Sequence, residues 1–203
     1  MLDRMDLSRF DTMEPGELRS YLSFLLWHYR VVDSFWFLYM ADAYSQAEAD
    51  YVYYCNASEY FDESDNEYSR PIITRSFRSS WDMYDRHLYE GGACRLHTLR
   101  CELGDDIFWA AVRDYLATYR DRVVETDDFR LIMEKHSGRA LGRFFDQWFY
   151  QPGYPDLKVT FEFDADASRG VFTVEQQQVN ATENIPVFHF QTAVAWRLDG
   201  ELH

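Results

Sequence analysis

The chain has 203 residues, of which 47% are apolar and 18% aromatic, so it can bury one substantial core and is not a disordered chain. Its formal charge of −15, from 35 acidic and 20 basic residues, argues against nucleic acid or an anionic membrane surface as a partner, because both would repel it. The longest apolar stretch, 31–41, is interrupted by Asp33 and Ser34, so we expect no membrane span.

The three cysteines indicate a reducing compartment. Cys55, Cys94 and Cys101 are an odd number and show no paired spacing. Cys94 and Cys101 lie on one predicted helix, where their separation corresponds to a rise of about 10 Å, which is too far for a disulfide. Since no targeting segment is expected either, we predict reduced, structural thiols in a cytoplasmic protein.

The N-terminal part is predicted to be helical. After the start signal Glu14-Pro15-Gly16, apolar residues recur every third or fourth position from Glu17 to Tyr44. This pattern predicts one long helix, or two consecutive helices, with a broad aromatic face. A further helix is predicted over 46–62, with an acidic loop at 62–69, and Pro71 then favours an extended connector.

The rest of the chain changes from helical to strand periodicity at Gly153. Helices are predicted over 81–103, 106–119, 127–136 and 139–150. Alternation of apolar and polar residues then predicts a hairpin of Leu157–Phe163 with Val171–Gln177, and a third strand over Val187–Leu198. The pattern indicates an α+β fold that is mainly helical and ends in a small antiparallel β portion with an open sheet edge.

Several short motifs between Trp81 and Pro155 occur in one order. They are Tyr89-Glu90-Gly91-Gly92-Ala93, then Leu96, Leu99 and Leu103 at helical spacing, Gly104-Asp105-Asp106-Ile107-Phe108-Trp109, Glu125-Thr126-Asp127-Asp128-Phe129, Ser137-Gly138, Phe144-Phe145-Asp146-Gln147-Trp148 and Gly153-Tyr154-Pro155. In this order they resemble the second half of the catalytic domain of the zinc aminopeptidases typified by aminopeptidase N and leukotriene A4 hydrolase. The resemblance extends upstream through Ser69-Arg70-Pro71-Ile72-Ile73-Thr74-Arg75 and Asp85-Arg86-His87, and it covers approximately residues 50–180.

The resemblance implies a fold and a division of the chain. The implied fold is a mainly helical, thermolysin-like C-terminal subdomain followed by the start of a β-sandwich. We therefore expect three parts: an N-terminal helical segment of unassigned origin at 1–48, an aminopeptidase-like helical subdomain at 49–154, and antiparallel strands at 155–203.

The resemblance also implies zinc as the cofactor and a peptide as the substrate. Family members remove the N-terminal residue of a peptide with zinc held by His-Glu-x-x-His and a later Glu. No two histidines of this chain are four residues apart, so we predict no metal site and no peptidase activity for the chain alone. Asp33 falls near the place of the third ligand, but without the histidine pair we assign it to a surface or helix-capping role. The histidines are His28, His87, His97, His136, His189 and His203.

Tyr89 is the one catalytic residue that the resemblance implies. In the family, the tyrosine of this motif donates a hydrogen bond to the oxyanion of the tetrahedral intermediate. Gly91 stands where the family usually has lysine. Two adjacent glycines weaken a helix start by about 1 kcal/mol each, so we expect that Gly91-Gly92 allows a close backbone approach.

Two other interpretations follow from the same sequence. In the first interpretation, the chain is a non-catalytic interaction module whose aromatic N-terminal helix and open sheet edge contact a second copy or another protein. Alternatively, it is part of a longer enzyme whose zinc-binding half lies upstream.

Overall fold

The computed structural model describes residues 45–120, 122–164, 166, 169–178, 185–192, 197–198 and 201–202. The helical segment predicted over Glu17–Tyr44, which includes Asp33, lies outside these residues. The chain forms two compact units, Met1–Pro152 and Gly153–His203. In the part that the structure describes, every helix is too short or too polar to cross a bilayer.

Helices make up most of the described part of the first unit, which confirms the mainly helical prediction. The α-helices are α1 Gln46–Asn66, α2 Gly92–Leu103, α3 Asp105–Thr118, α4 Thr126–Ser137 and α5 Gly142–Trp148. A 3-10 helix over Ser80–Met83 and a π-helix over His87–Gly91 precede α2. The buried apolar core includes Tyr60, Leu96, Leu99, Leu103, Phe108, Ala111, Val112, Phe129, Ile132, Met133, Phe145 and Trp148.

Helix α1 begins at a clear cap and packs along one stripe. The Ser45 hydroxyl accepts the Glu48 N–H at 3.2 Å, which satisfies one of the free donors of the first turn. Asn56 and Tyr60, four residues apart on one face, are both buried. The helix continues to Asn66, past the end predicted at 62, so that Glu63 lies in a regular turn rather than in a loop.

The single helix predicted over 81–103 is wrong in its first half. Tyr84 leaves the helical region with φ −92° and ψ 72°, which ends the 3-10 helix. The Asp85 carboxylate then accepts the Leu88 N–H at 2.9 Å and starts a new helix. Its first turn is of the π type, because the Gly91 N–H donates to the carbonyl of Arg86, five residues earlier, at 2.8 Å.

The second unit begins with the predicted hairpin. Strand β1 (Leu157–Asp164) pairs with β2 (Arg169–Gln176) in an antiparallel ladder that places Leu157 opposite Gln176. This ladder confirms the prediction of a small antiparallel β portion after the helices.

The third strand predicted over Val187–Leu198 is wrong for residues 187–192. A side chain takes the place of a partner strand there: Gln176 Nε2 donates to the Phe188 carbonyl at 2.6 Å, and Gln176 Oε1 accepts the Phe188 N–H at 2.8 Å. The end of the predicted strand forms a different pair, in which β3 (Arg197–Leu198) lies antiparallel to β4 (Glu201–Leu202).

Candidate functional site

Tyr89 lies in the middle of the π-helix, where its backbone is held on both sides. Its N–H donates to the Asp85 carbonyl at 3.3 Å, and its own carbonyl accepts the Gly92 N–H. The half-buried Tyr89 ring lies 6.2 Å from the ring of Tyr84, whose ring in turn lies 5.3 Å from that of Trp81. We call Trp81, Tyr84 and Tyr89 the aromatic surface, because Trp81 and Tyr84 are exposed.

Asp85 fixes the start of this π-helix. Its carboxylate binds Arg70 through two bonds, from Nη2 to Oδ1 at 2.6 Å and from Nε to Oδ2 at 2.7 Å. Oδ2 also accepts the Tyr68 hydroxyl at 2.8 Å. Burial alone would raise the pKa of Asp85, but the Arg70 and Tyr68 bonds and the Leu88 N–H outweigh it and hold this pKa below its usual range. Asp85 is therefore a carboxylate locked into one geometry.

A second anchor joins the π-helix to α1. Glu63 Oε2 accepts the His87 N–H at 3.1 Å and lies 2.7 Å from His87 Nδ1. Because a carboxylate only accepts, Nδ1 carries the proton in this pair. The His87 ring is fully buried, stacks on Tyr68 with 5.0 Å between centroids, and meets the Tyr60 ring edge-on at 5.3 Å. Glu63 and His87 therefore fix the rotation of the helix that carries Tyr89.

Gly91 packs directly against a buried tyrosine. A Cβ atom at position 91 would lie 2.9 Å from Tyr60 Cδ2 and 3.0 Å from Ile72 Cδ1. Tyr60 has little freedom to move, since the Arg95 guanidinium lies 4.4 Å from its ring centroid and donates to its hydroxyl at 2.8 Å. The close approach predicted at Gly91 is confirmed, and it explains why the lysine of the family pattern does not fit here.

A cleft of about 360 Å³ lies beside the Asp85 network. Its lining combines two arginines with two aromatic rings and includes Tyr68, Arg70, Ser76, Phe77, Arg78, Asp82 and Met83. Tyr89 does not line this cleft, so the cleft and the aromatic surface are separate features.

Three described residues bring metal-ligand atoms together, and we tested whether they fit zinc. Glu63, Asp85 and His87 place one ligand atom each within 4.8 Å of one another. All three are already engaged: Asp85 is neutralised by Arg70, and Glu63 accepts the Nδ1 proton that zinc would displace. An adjacent guanidinium also repels a divalent cation. These residues fit a structural network and do not fit a zinc site.

The His87 anchor predicts that stability falls in mild acid. Burial lowers the pKa of His87, against the opposing influence of Glu63 and Asp85, so the unfolded chain binds the proton more readily than the folded chain. The free energy of unfolding should therefore decrease as the pH falls below about 6.5, by at most about 1.4 kcal/mol per pH unit. Urea unfolding between about pH 5 and pH 8 measures this slope.

The control for the pH dependence is a pair of glutamine variants. His87→Gln should flatten the slope between pH 5 and pH 6.5, whereas His189→Gln, at an exposed position of the second unit, should leave it unchanged. An equal slope in the His87 variant and the unmodified chain would contradict the assignment.

Sequence patterns alone did not single out Glu63, Arg70 or His87 as parts of this site. Glu63 lies 24 residues from His87, and Arg70 lies 15 residues from Asp85, so no local spacing joins them. The available signals were two segments of the family resemblance, Asp85-Arg86-His87 just before Tyr89 and Ser69–Arg75, which includes Arg70. Cys55, Cys94 and Cys101 take no part in this network and are free thiols.

Part of the sequence of this chain is similar to known aminopeptidases. Aminopeptidase A of Gloydius brevicauda is 36% identical to this chain over 77 residues, which are 38% of this chain and 8% of that protein. Glutamyl aminopeptidase of Bitis rhinoceros is 35% identical over 77 residues, with the same coverage of 38% and 8%. The Probable aminopeptidase 2 of Sulfurisphaera tokodaii is 31% identical over 78 residues, or 38% of this chain and 10% of that protein. The chain thus spans a small part of the length of the relatives it matches.

The sequence model of the Peptidase family M1 domain matches residues 27–148. The match begins inside the segment 1–48, whose origin the sequence motifs left unassigned, and it ends at the last residue of α5. It covers more than half of the chain and includes the π-helix with Tyr89. The chain therefore belongs to peptidase family M1.

Proposed function

We propose that the first unit is the segment of an M1 aminopeptidase site that contacts the reacting peptide, with the Tyr89 hydroxyl as the hydrogen-bond donor to the oxyanion. The observation that carries the proposal is the fixation of the π-helix that carries Tyr89 by two anchors, Glu63–His87 and Arg70–Asp85, which Tyr68 joins into one network. Such rigidity suits an oxyanion donor, because a preoriented donor needs no reorganisation when charge develops. The printed names of the relatives support a peptide as the substrate.

The residues of this chain supply only part of the chemistry. Zinc, on which this family generally depends, activates the attacking water when it is bound. The 203 residues contain no His-Glu-x-x-His, and Glu63, Asp85 and His87 do not fit the metal. We therefore assign no hydrolytic step to this chain alone. The Tyr89 hydroxyl stabilises the oxyanion, whereas the attacking water requires zinc ligands that these 203 residues do not supply.

The test is a graft of residues 63–93, which include both anchors, into a complete, zinc-containing M1 aminopeptidase, in place of its own segment. The graft should keep zinc-dependent hydrolysis of an aminoacyl reporter. Tyr89→Phe in the graft should lower kcat by about 100- to 1,000-fold with little change in KM, because the lost bond acts in the transition state. The isolated 203-residue chain should show no zinc-dependent turnover and retain almost no zinc after dialysis against a weak chelator.

Two results would overturn the proposal. Unchanged kcat in the Tyr89→Phe graft would show that the Tyr89 hydroxyl takes no part in the reaction. About one zinc per chain in the isolated protein, with turnover, would show ligands other than the known motif. The parent graft with Tyr89 intact is the control for both measurements.

A further inference from the structure

One face of α2 brings a thiol and an imidazole together. His97 and Cys101 are four residues apart, so they lie one turn apart on the same face of this helix. Cys101 Sγ is 3.6 Å from His97 Nε2 and 4.0 Å from His97 Nδ1. Cys101 is exposed and His97 is half-buried. A small ligand can therefore reach both side chains from solution.

The separation of the two atoms fits a metal ion that binds both. In a tetrahedral zinc site, the metal lies about 2.3 Å from a sulfur and about 2.0 to 2.1 Å from a nitrogen, which places these two ligand atoms about 3.6 Å apart. The distance between Cys101 Sγ and His97 Nε2 is also 3.6 Å. Thiolate and imidazole together suit zinc and other thiophilic ions, whereas magnesium and calcium prefer oxygen ligands. The pair can thus become two adjacent ligands of one ion without a change in the helix.

Contacts from α1 and α2 hold the imidazole of this pair in place. The His97 ring stacks on the Tyr53 ring of α1, with 3.8 Å between centroids and 18° between planes. The Tyr53 hydroxyl accepts Arg100 Nη1 at 3.1 Å, and Arg100 Nε and Nη2 donate to the Asp105 carboxylate at 2.7 Å and 2.9 Å. Contacts that orient a ligand ring in advance raise the affinity of a metal site, because less order has to be gained on binding.

The charges around the pair favour a cation. Cys101 lies in the last turn of α2, where the helix dipole carries partial negative charge. The charge of Arg100 is balanced by Asp105, which is not one of the two ligands. Arg70, in contrast, binds Asp85, a member of the group that does not fit zinc. The net charge of −15 on the whole chain also attracts cations.

We propose that His97 and Cys101 form a surface site for a thiophilic divalent ion of the zinc and cadmium class. Cys101 Sγ and His97 Nε2 supply two ligands, and water completes the tetrahedron. Partial burial raises the pKa of the Cys101 thiol, against the opposing charge of Arg100, so the thiol is protonated at neutral pH. On binding, the S–H bond breaks, the metal–sulfur bond forms and the proton passes to water. With only two protein ligands, we expect a dissociation constant of about 1 to 100 µM.

The His97–Cys101 site is independent of the role proposed for Tyr89. The expectation of no metal site rested on the lack of paired histidines, and a histidine–cysteine pair is a different ligand set. A site of this affinity loses its ion to a chelator, so the dialysed chain should still retain almost no zinc. Failure of metal binding at Cys101 would leave the result of the Tyr89 graft standing, and the reverse also holds.

Protection of individual thiols from alkylation tests the site. The full chain is treated with iodoacetamide, with and without zinc chloride, in a buffer free of thiols and chelators, and mass spectrometry measures the modification of each cysteine. At a free zinc concentration about tenfold above the dissociation constant, alkylation of Cys101 should slow by about tenfold. Alkylation of Cys55, on α1, should be unchanged. Titration with Cd²⁺ should add an ultraviolet thiolate-to-metal charge-transfer band that saturates at about one ion per chain.

Substitutions at the two ligands separate a paired site from a single thiol. Cys101→Ser should abolish the charge-transfer band, whereas the matched control Cys55→Ser should keep it. His97→Gln should raise the dissociation constant by about tenfold or more, because one of the two protein ligands is lost. His189→Gln, at an exposed position of the second unit, should change it by less than about twofold. Circular dichroism checks that each variant folds.

Three outcomes would overturn the site. Alkylation of Cys101 that does not respond to zinc up to about 1 mM excludes binding in the expected range. Equal zinc protection of Cys101 in the His97→Gln variant and the unmodified chain would show that the imidazole is not a ligand. A charge-transfer band that survives Cys101→Ser but disappears in Cys55→Ser would place the bound ion on α1 instead.

Discussion

Replacing Asp85 with alanine should lower the free energy of unfolding by about 3 to 5 kcal/mol. Asp85 and Arg70 are 7% and 14% exposed, and they share two short hydrogen bonds, so removal of the carboxylate leaves a buried guanidinium without its counter-ion. The same change removes the acceptor for the Tyr68 hydroxyl and for the Leu88 N–H in the first turn of the π-helix. Urea denaturation at pH 7 measures the loss.

The matched control for Asp85 is Asp127, which also pairs with an arginine but is 65% exposed. Asp127→Ala should cost less than about 1 kcal/mol, because water screens the pair and Arg130 retains Glu134. The double variant Asp85→Ala/Arg70→Met should recover part of the loss, since it removes the unpaired charge as well. A cost for Asp85→Ala no larger than that of Asp127→Ala would show that the network is not a stabilising anchor.

Gly91→Ala should destabilise the protein by about 1 to 3 kcal/mol, although alanine normally favours a helix over glycine. The new methyl group would come within 3.0 Å of side chains of Tyr60 and Ile72, and Tyr60 is fully buried beneath Arg95. Thermal unfolding measures the change, and a lowered midpoint is the expected direction.

Gly142 provides the opposite case for comparison. It opens α5, and a Cβ atom there would have no neighbour within 4 Å, so Gly142→Ala should stabilise the protein by about 0.4 to 1 kcal/mol.

Ile72→Val removes the Cδ1 atom that crowds position 91, and it should reduce the cost of Gly91→Ala in the double variant. Additive effects in the two single variants would contradict the packing contact.

The helical architecture could be predicted because each helix carries a local signal. Apolar residues recur at helical spacing in α2, α3 and α4, and Gly104 and Gly138, which follow α2 and α4, have positive φ angles. The pattern placed the start and the end of α3 and α4 within one residue of their observed positions. Local sequence signals are sufficient to predict a helix when residues in or next to that helix determine its two ends.

The predictions are wrong where a side chain from another part of the sequence determines the backbone structure. The break before His87 depends on Asp85, whose carboxylate is held by Arg70 of another segment. The third strand failed to form over 187–192 because the Gln176 side chain satisfies the backbone of Phe188. A sequence pattern shows the spacing of apolar side chains but not the hydrogen-bond partner of each backbone group. The spacing of residues alone could therefore not have avoided either error.

The candidate site also combines features that local sequence predicts with features that only the fold reveals. Tyr89 and the close approach at Gly91 came from a contiguous motif, whereas the Glu63–His87 anchor joins residues that only the fold brings together. The chemical role of Tyr89 stays a prediction, which the graft experiment decides.

The π-helix has a consequence for how this segment tolerates changes of length. A π-turn holds one residue more than an α-turn, so it acts as an insertion stored within a helix. Deleting one residue from His87–Gly91 would restore the α-helical path but rotate everything before it by about 100° relative to α2. Deletion of Glu90 or Gly91 would therefore turn both His87 and Tyr89 relative to α2, which would break the contact between His87 and Glu63. The number of residues in His87–Gly91 therefore determines which face of the helix carries Tyr89.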